Sequence, residues 1–163
     1  MQLTNLFCLA SVLTSVSAIT GKPTQIKPQP LPTQIIQRLT IVSVSYDPGY
    51  GDANRAMTAV SCSDGKNGLI TRYKWEKQGQ IPKFPYIGGA QAIPGWNSPN
   101  CGTCWKLTYK GKSINILAID HTSAGFNISP AAMNALTNNQ AVKLGRVDAT
   151  AVQVPVTNCG LKK

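Results

Sequence analysis

Four cysteines set the tightest limit on what this chain can fold into. They are Cys62, Cys101, Cys104 and Cys159; a fifth, Cys8, falls in an N-terminal run that reads as a signal peptide and is expected to leave with it. An even number of cysteines in a secreted chain implies two bridges. Three pairings are possible by arithmetic. A Cys101–Cys104 bridge would close a very small loop and leave a redox-labile pair. Pairing 62 with 101 and 104 with 159 closes loops of about 40 and about 55 residues, each stabilising by roughly 4 kcal/mol in the chain-entropy model. Cys101-Gly102-Thr103-Cys104 also has the spacing of a redox motif. Such a motif needs a helix start to support its thiolate, and Trp105 to Tyr109 reads as a strand. A four-thiolate zinc site needs reduced sulfur, which secretion opposes.

The case for secretion rests on the first residues. Residues 1–20 carry no charged side chain, and Leu6 to Ala18 is an apolar and hydroxyl run ending in the small pair Ser17-Ala18. This reads as a signal peptide over residues 1–18. A membrane anchor is the weaker reading, because the run is shorter than the ~20 residues of a spanning helix and Ser and Thr interrupt it. Residues 19–38 form a Pro-rich extension. Within it, 21–34 (GKPTQIKPQPLPTQ) holds four prolines and no apolar periodicity, which predicts a disordered arm or a pro-segment. The folded domain is expected over residues 39–163, in a secreted, extracellular protein.

Charge narrows the partners. Sixteen Lys and Arg oppose six Asp and Glu, a net charge of +10 that lies wholly after position 21. The cations are scattered (Lys66, Arg72, Lys74, Lys77, Lys83, Lys106, Lys110, Lys112, Lys143, Arg146) without a run of five. No nucleic-acid motif accompanies them, so no nucleic-acid partner is expected. A general attraction to anionic surfaces remains.

The pattern inside the domain is mainly β. Leu39 to Ser45 is β-branched and partly alternating, and Asp47-Pro48-Gly49 turns the chain. Leu69 to Tyr73 reads as a short strand. Cys104 to Tyr109 alternates, Lys110-Gly111-Lys112 forms a tight turn, and Ser113 to Asp120 returns; this is the clearest hairpin. Val147 to Val156 reads as the closing strand, with Pro155 marking its end or an edge. One helix is well signalled: Ser129 as N-cap, Pro130 at the first helical position, Ala131 to Leu136 as formers, and Asn138 and Asn139 as stops. Short strands with one or two helices and Gly-rich turns predict a small barrel.

The acids argue against hydrolysis. Glycosidases usually place two carboxyls about 5–9.5 Å apart, and this chain has Asp47, Asp52, Asp64, Glu76, Asp120 and Asp148 to choose from. Asp120 stands out, ending the most apolar strand beside His121, the single histidine; its plainer role is to cap the following loop. Asp47, Asp52 and Asp64 sit in turn-like sequence. No second acid lies in a comparable setting, no G-x-S-x-G elbow is present, and Asp120 is too near in sequence to orient His121 in a triad. No catalytic residue, metal ligand or cofactor is therefore expected. Sugar binding suits the residues better, since sugars offer hydroxyls to amides and carboxylates and C–H faces to aromatic rings. Phe84, Tyr86, Gln91, Trp96, Asn97, Asn100 and Trp105 lie in one Gly- and Pro-rich stretch.

Several segments together resemble the cerato-platanin family of small secreted fungal proteins. They are Val44-Ser45-Tyr46-Asp47-Pro48, Cys62-Ser63-Asp64-Gly65-Lys66-Asn67-Gly68-Leu69 and Gly95-Trp96-Asn97-Ser98-Pro99-Asn100-Cys101-Gly102-Thr103-Cys104-Trp105. Ala118-Ile119-Asp120-His121, Gly125-Phe126-Asn127-Ile128, Leu144-Gly145-Arg146-Val147-Asp148 and Cys159-Gly160-Leu161 complete the set. The resemblance implies a double-ψ β-barrel like that of expansins and a related group of glycoside hydrolases, with bridges Cys62–Cys101 and Cys104–Cys159. It implies non-hydrolytic loosening of cellulose, binding of chitin oligomers and elicitation of plant defence, with Asp120 as the counterpart of the expansin carboxylate in a shallow groove. The expected carbohydrate-binding residues are Asp120, His121, Gln91, Asn127 and Trp96. The expected partners are chitin- or cellulose-type polysaccharide and a plant receptor or cell surface, met by a monomer. The Pro-rich stretch and the strong positive charge depart from the family pattern. Asn127-Ile128-Ser129 is a glycosylation sequon, but Pro130 directly after it argues against its use.

Overall fold

The computed structural model describes residues 40–162. The readings of a signal peptide and of a Pro-rich extension lie outside the described residues. Six strands run in the order β1 (Thr40–Tyr46), β2 (Ile87–Ala90), β3 (Cys104–Tyr109), β4 (Lys112–His121), β5 (Phe126–Ile128) and β6 (Arg146–Val154). They close into a barrel with spatial order β1-β5-β2-β4-β3-β6. Four pairings are antiparallel, while β1–β5 and β2–β4 are parallel. Those two crossing parallel pairs separate it from an up-and-down barrel, and the architecture is the double-ψ β-barrel. Closure leaves β6 hydrogen-bonded on both sides, so Pro155 ends that strand without marking an edge.

Local sequence explains most of these elements. The β3–β4 hairpin turns through Lys110 (φ 46°) and Gly111 (φ 80°), the doubly left-handed turn that suits strand twist. Helix α2 (Pro130–Thr137) starts where Ser129 accepts from the Ala132 N–H and stops at left-handed Asn138. A four-residue helix α3 (Ala141–Leu144), unforeseen in the sequence, follows directly, its first N–H held by the Asn134 side chain.

Residues Leu69–Tyr73 are not a strand. They form helix α1, with a left-handed cap at Lys74. Leu69 is buried, with Ile70 and Tyr73 packed against the core; positions i, i+1 and i+4 share one helical face, whereas alternation would have split them. The Leu69 and Ile70 N–H groups also bond back to the Cys62 and Ser63 carbonyls at 2.8 and 2.9 Å, an anchor that no local propensity announces.

Strand β2 was hidden because its sequence, Ile-Gly-Gly-Ala, reads as loop. Both glycines are required by close approach. A Cβ on Gly88 would run into the carbonyl of Asn127 on the neighbouring strand. The core fills the barrel with Val44, Leu107, Ile116, Phe126, Ile128 and Val147, and continues beneath α2 through Met133 and Leu136. Two disulfides fasten loops to this frame: Cys62–Cys101, and Cys104–Cys159.

Candidate functional site

Four neighbouring strands contribute one residue each to a row. Ser45 of β1 lies opposite Asn127 of β5, Asn127 opposite Gly89 of β2, and Gly89 opposite Asp120 of β4. On the other side of β1, Ser45 faces Arg146 of β6. Laterally paired residues project from the same sheet face. Their strand neighbours Val44, Phe126, Ile128 and Ala90 are core, so the row lies on the outer face. Gly89 is its floor: a Cβ there would stand 2.9 Å from the His121 carbonyl oxygen and 3.2 Å from the Tyr50 hydroxyl.

Asp120 reaches this face through a bulge. Leu117 and Ala118 pair with Ile87 and Gly88, then the register shifts and Gly89 pairs with Asp120, passing over Ile119. Unbroken alternation from Ala118 would turn Asp120 into the barrel; the extra residue turns it out. Ile119 is fully buried and its carbonyl accepts the Cys62 N–H at 3.1 Å.

The carboxylate is held on both oxygens. Oδ1 accepts from the Ser61 N–H (2.8 Å), the Ser61 hydroxyl (2.7 Å) and the His121 N–H (2.8 Å). Oδ2 accepts from the Tyr50 hydroxyl at 3.0 Å. Burial first, and then the facing Asp120 carboxylate, push the Tyr50 phenol well above its ordinary range, so it remains a donor. The Arg55 guanidinium lies over the Tyr50 ring, 5.2 Å from its centre. Hydrogen bonds to a charged group contribute about 1.5–3 kcal/mol each, so this half-buried acid ties three separate segments together.

The other expected site residues divide. Asn127 belongs to the row, its Oδ1 accepting from the Ser45 hydroxyl at 3.2 Å. His121 is exposed, and its Nδ1 donates to the Ile93 carbonyl at 2.6 Å, which leaves Nε2 as the acceptor of the neutral ring. Gln91 uses its Oε1 on the Gly125 N–H at 3.1 Å. It stands beside a cavity of about 260 Å³ that Trp105, Phe126, Val42 and Ala151 also line. Trp96 is 63% exposed on a separate loop, with its indole N–H on Asp64. The fold thus brings Asp120 and Asn127 into one row. The His121 side chain, laterally paired with Ala90, projects from the other face toward Ile93, and only its backbone N–H reaches Asp120. Gln91 and Trp96 are engaged elsewhere, on Gly125 and Asp64. Sequence reasoning missed Tyr50, Ser61, Ser45 and the Gly89 floor. Only the turn-like setting of Tyr50 carried a local signal, because Tyr50 and Ser61 lie 70 and 59 positions from their partner.

Asp47 and Asp52 are turn formers, accepting from the Gly49 and Asn54 N–H groups. Among the described residues no group of three His, Cys, Asp or Glu is placed to hold a metal ion. No helix among them is long and apolar enough to cross a membrane.

Comparisons with known proteins point to one family. The cerato-platanin family profile matches residues 42–161. Allergen Asp f 15 of Aspergillus fumigatus is 54% identical over 118 residues, covering 72% of this chain and 76% of the relative. Cerato-platanin of Ceratocystis fimbriata f. sp. platani is 45% identical over 120 residues, covering 72% and 86%. The crystal structure of cerato-platanin 2 from M. perniciosa superposes with a TM-score of 0.71 at 43% identity, covering 75% of this chain and all (100%) of that one. The family profile, the sequence identities and the shared fold show that this chain belongs to the cerato-platanin family, a small family of fungal proteins.

Proposed function

We propose that this is a secreted, polysaccharide-binding protein that acts as expansins do, loosening chitin- or cellulose-type material without cleaving it, and that it elicits plant defence. The observation that carries this reading is the Asp120 carboxylate, fixed on the outer barrel face by four hydrogen bonds beside Asn127 and a glycine floor. Three donors converge on Oδ1 and one on Oδ2, so it is built as an acceptor held in place, and the second lone pair of Oδ2 suits a sugar hydroxyl. A shallow, open row of amide, hydroxyl and carboxylate groups matches an extended glycan better than it matches an enclosed small substrate. The relatives carry the names of an allergen, antigens and, in one solved structure, a fungal elicitor.

The test is retention on insoluble chitin and cellulose. Asp120→Ala and Asn127→Ala should each weaken retention several-fold, with Asp120→Asn intermediate. Equal retention by all four proteins would remove the row from the binding site. An immune response that persists in a groove-dead variant would separate elicitation from sugar binding.

A weak glycosidase is the rival reading, and one observation favours it. Asp47 caps the turn that carries Tyr50, whose hydroxyl donates to Asp120, which makes Asp47 the candidate second acid. Its side chain is already engaged on the Gly49 N–H at 2.7 Å. Release of reducing ends from soluble oligosaccharide, abolished in both Asp120→Asn and Asp47→Asn, would establish hydrolysis.

A further inference from the structure

Trp96 is the one large aromatic residue among the exposed large hydrophobics of the described chain, and it is not loose. Its Nε1–H donates to Asp64 Oδ1 at 2.6 Å. A Cβ on Gly65, whose φ is +76°, would stand 3.1 Å from Cζ2 of the indole, so a glycine backbone abuts the six-membered ring. Asn97, left-handed at φ 56°, accepts from the Asn67 N–H through its Oδ1 (2.9 Å) and from the Asn67 side chain through its carbonyl (2.8 Å). These bonds join the 64–67 turn to the 96–97 turn, and the Cys62–Cys101 disulfide crosslinks the same two loops. Ser63 donates to the same Asp64 oxygen at 3.3 Å. Burying an indole is favourable, and folding has instead spent a glycine, a left-handed asparagine and a carboxylate on holding one in water.

The surroundings indicate what such a ring would meet. Asp64, Lys66 and Asn100 are exposed beside it in the two loops, and the other exposed large hydrophobics, Ile41 and Val142, belong to other elements. A stable protein interface needs over roughly 1,000 Å² with an apolar centre, which one ring among polar groups does not provide. A pyranose does fit: its C–H face stacks on an aromatic plane while its equatorial hydroxyls reach polar groups at the rim. The Asp64 carboxylate, exposed beside the ring, is such a group.

We infer that Trp96, pinned by Asp64, is a sugar-stacking platform separate from the Asp120 row. It gives the domain a second contact on the same class of β-linked polysaccharide. This rests on the glycan-binding reading of the preceding subsection. Two contacts on one rigid domain raise the apparent affinity for a long chain that reaches both, with no such gain for a short one.

The experiment titrates wild type, Trp96→Ala, Trp96→Phe and Asp64→Asn with the dimers and hexamers of N-acetylglucosamine and glucose. Calorimetry and iodide quenching of tryptophan fluorescence provide the two readouts, and circular dichroism confirms folding. Hexamer binding should protect the wild-type indole from iodide. Trp96→Ala should weaken hexamer binding about 3- to 10-fold, the scale of one aromatic contact, and leave dimer binding unchanged. Trp96→Phe should recover part of the loss. Asp64→Asn keeps the ring but weakens its anchor, and should fall between wild type and Trp96→Ala. If wild type binds the hexamer, unchanged affinity in Trp96→Ala with no iodide protection overturns the platform while leaving the Asp120 row standing; the ring would then belong to a protein partner. If wild type binds no oligosaccharide, both readings fall.

Discussion

Asp120 and Asp64 each accept a hydrogen bond from an aromatic side chain, from Tyr50 at 3.0 Å and from Trp96 at 2.6 Å. The two bonds serve opposite purposes. Around Asp120 the aromatic group is buried, its relative exposure 5%, and the phenol helps to immobilise a carboxylate that three chain segments share. Around Asp64 the carboxylate lies in solvent and the indole, 63% exposed, is the group being immobilised. At Asp120 the Tyr50 and Ser61 bonds are long-range and replace lost water, so breaking them leaves part-buried donors unpaired. At Asp64 water can substitute for any bond removed, so the fold does not depend on it. The same chemistry therefore builds a structural anchor in one place and an orientation device in the other.

Removal of the bridge common to both regions has the largest expected effect. Cys62 follows Ser61, a partner of Asp120, and lies two residues before Asp64. The double variant Cys62→Ser/Cys101→Ser should lose about 2–5 kcal/mol of stability in urea denaturation, and should lose both the row and the platform. Asp120→Ala comes next. It orphans donors of Tyr50 and Ser61 and should cost about 2–4 kcal/mol, whereas Asp64→Ala should leave the urea midpoint close to wild type. Equal midpoints for the two variants would erase the contrast between them.

Titration should separate the regions further. The Tyr50 phenol is raised above its unfolded value, so the folded state holds that proton more tightly. Its stabilisation is complete below the ordinary tyrosine value of about 10 and is lost as pH climbs above it. Tyr50→Phe should flatten the alkaline fall in stability measured by denaturation between about pH 10 and 12. Asp64 shifts the other way: the Trp96 hydrogen bond lowers its pKa below the ordinary carboxylate value, a larger influence than the opposing desolvation. Stabilisation from a depressed carboxyl is present above the unfolded value and disappears as pH falls through the folded one. The smallest effect expected is therefore a Trp96 fluorescence change whose midpoint lies below the ordinary aspartate range, absent in Asp64→Asn. A midpoint at or above that range would remove the anchoring role from Asp64.

The legible parts of the molecule are those whose causes are local. Ser129-Pro130 and Asn138 announced both ends of α2, and Lys110-Gly111 announced the hairpin, because capping and left-handed turns are decided by a few adjacent residues. Asp120, beside His121 at the end of an apolar run, was visible as a candidate for the same reason. Strand β2 was not, since Gly88 and Gly89 carry no pattern and belong in a strand only because β4 and β5 press against them. Helix α1 was misread for a related reason: Leu69-Ile70-Thr71 has strand-like composition, and its anchoring to Cys62 and Ser63 is tertiary.

By itself, then, the sequence determined a mainly β chain with two bridges, one capped helix, one tight hairpin and a family likeness carried by its ordered motifs. Tertiary structure alone decided which way Asp120 faces. The bulge at Ile119, the Tyr50 and Ser61 donors and the Gly89 floor all come from segments that meet only after the barrel closes. Propensity acts over a few residues, whereas the direction of a side chain at a strand end depends on the register of its neighbours.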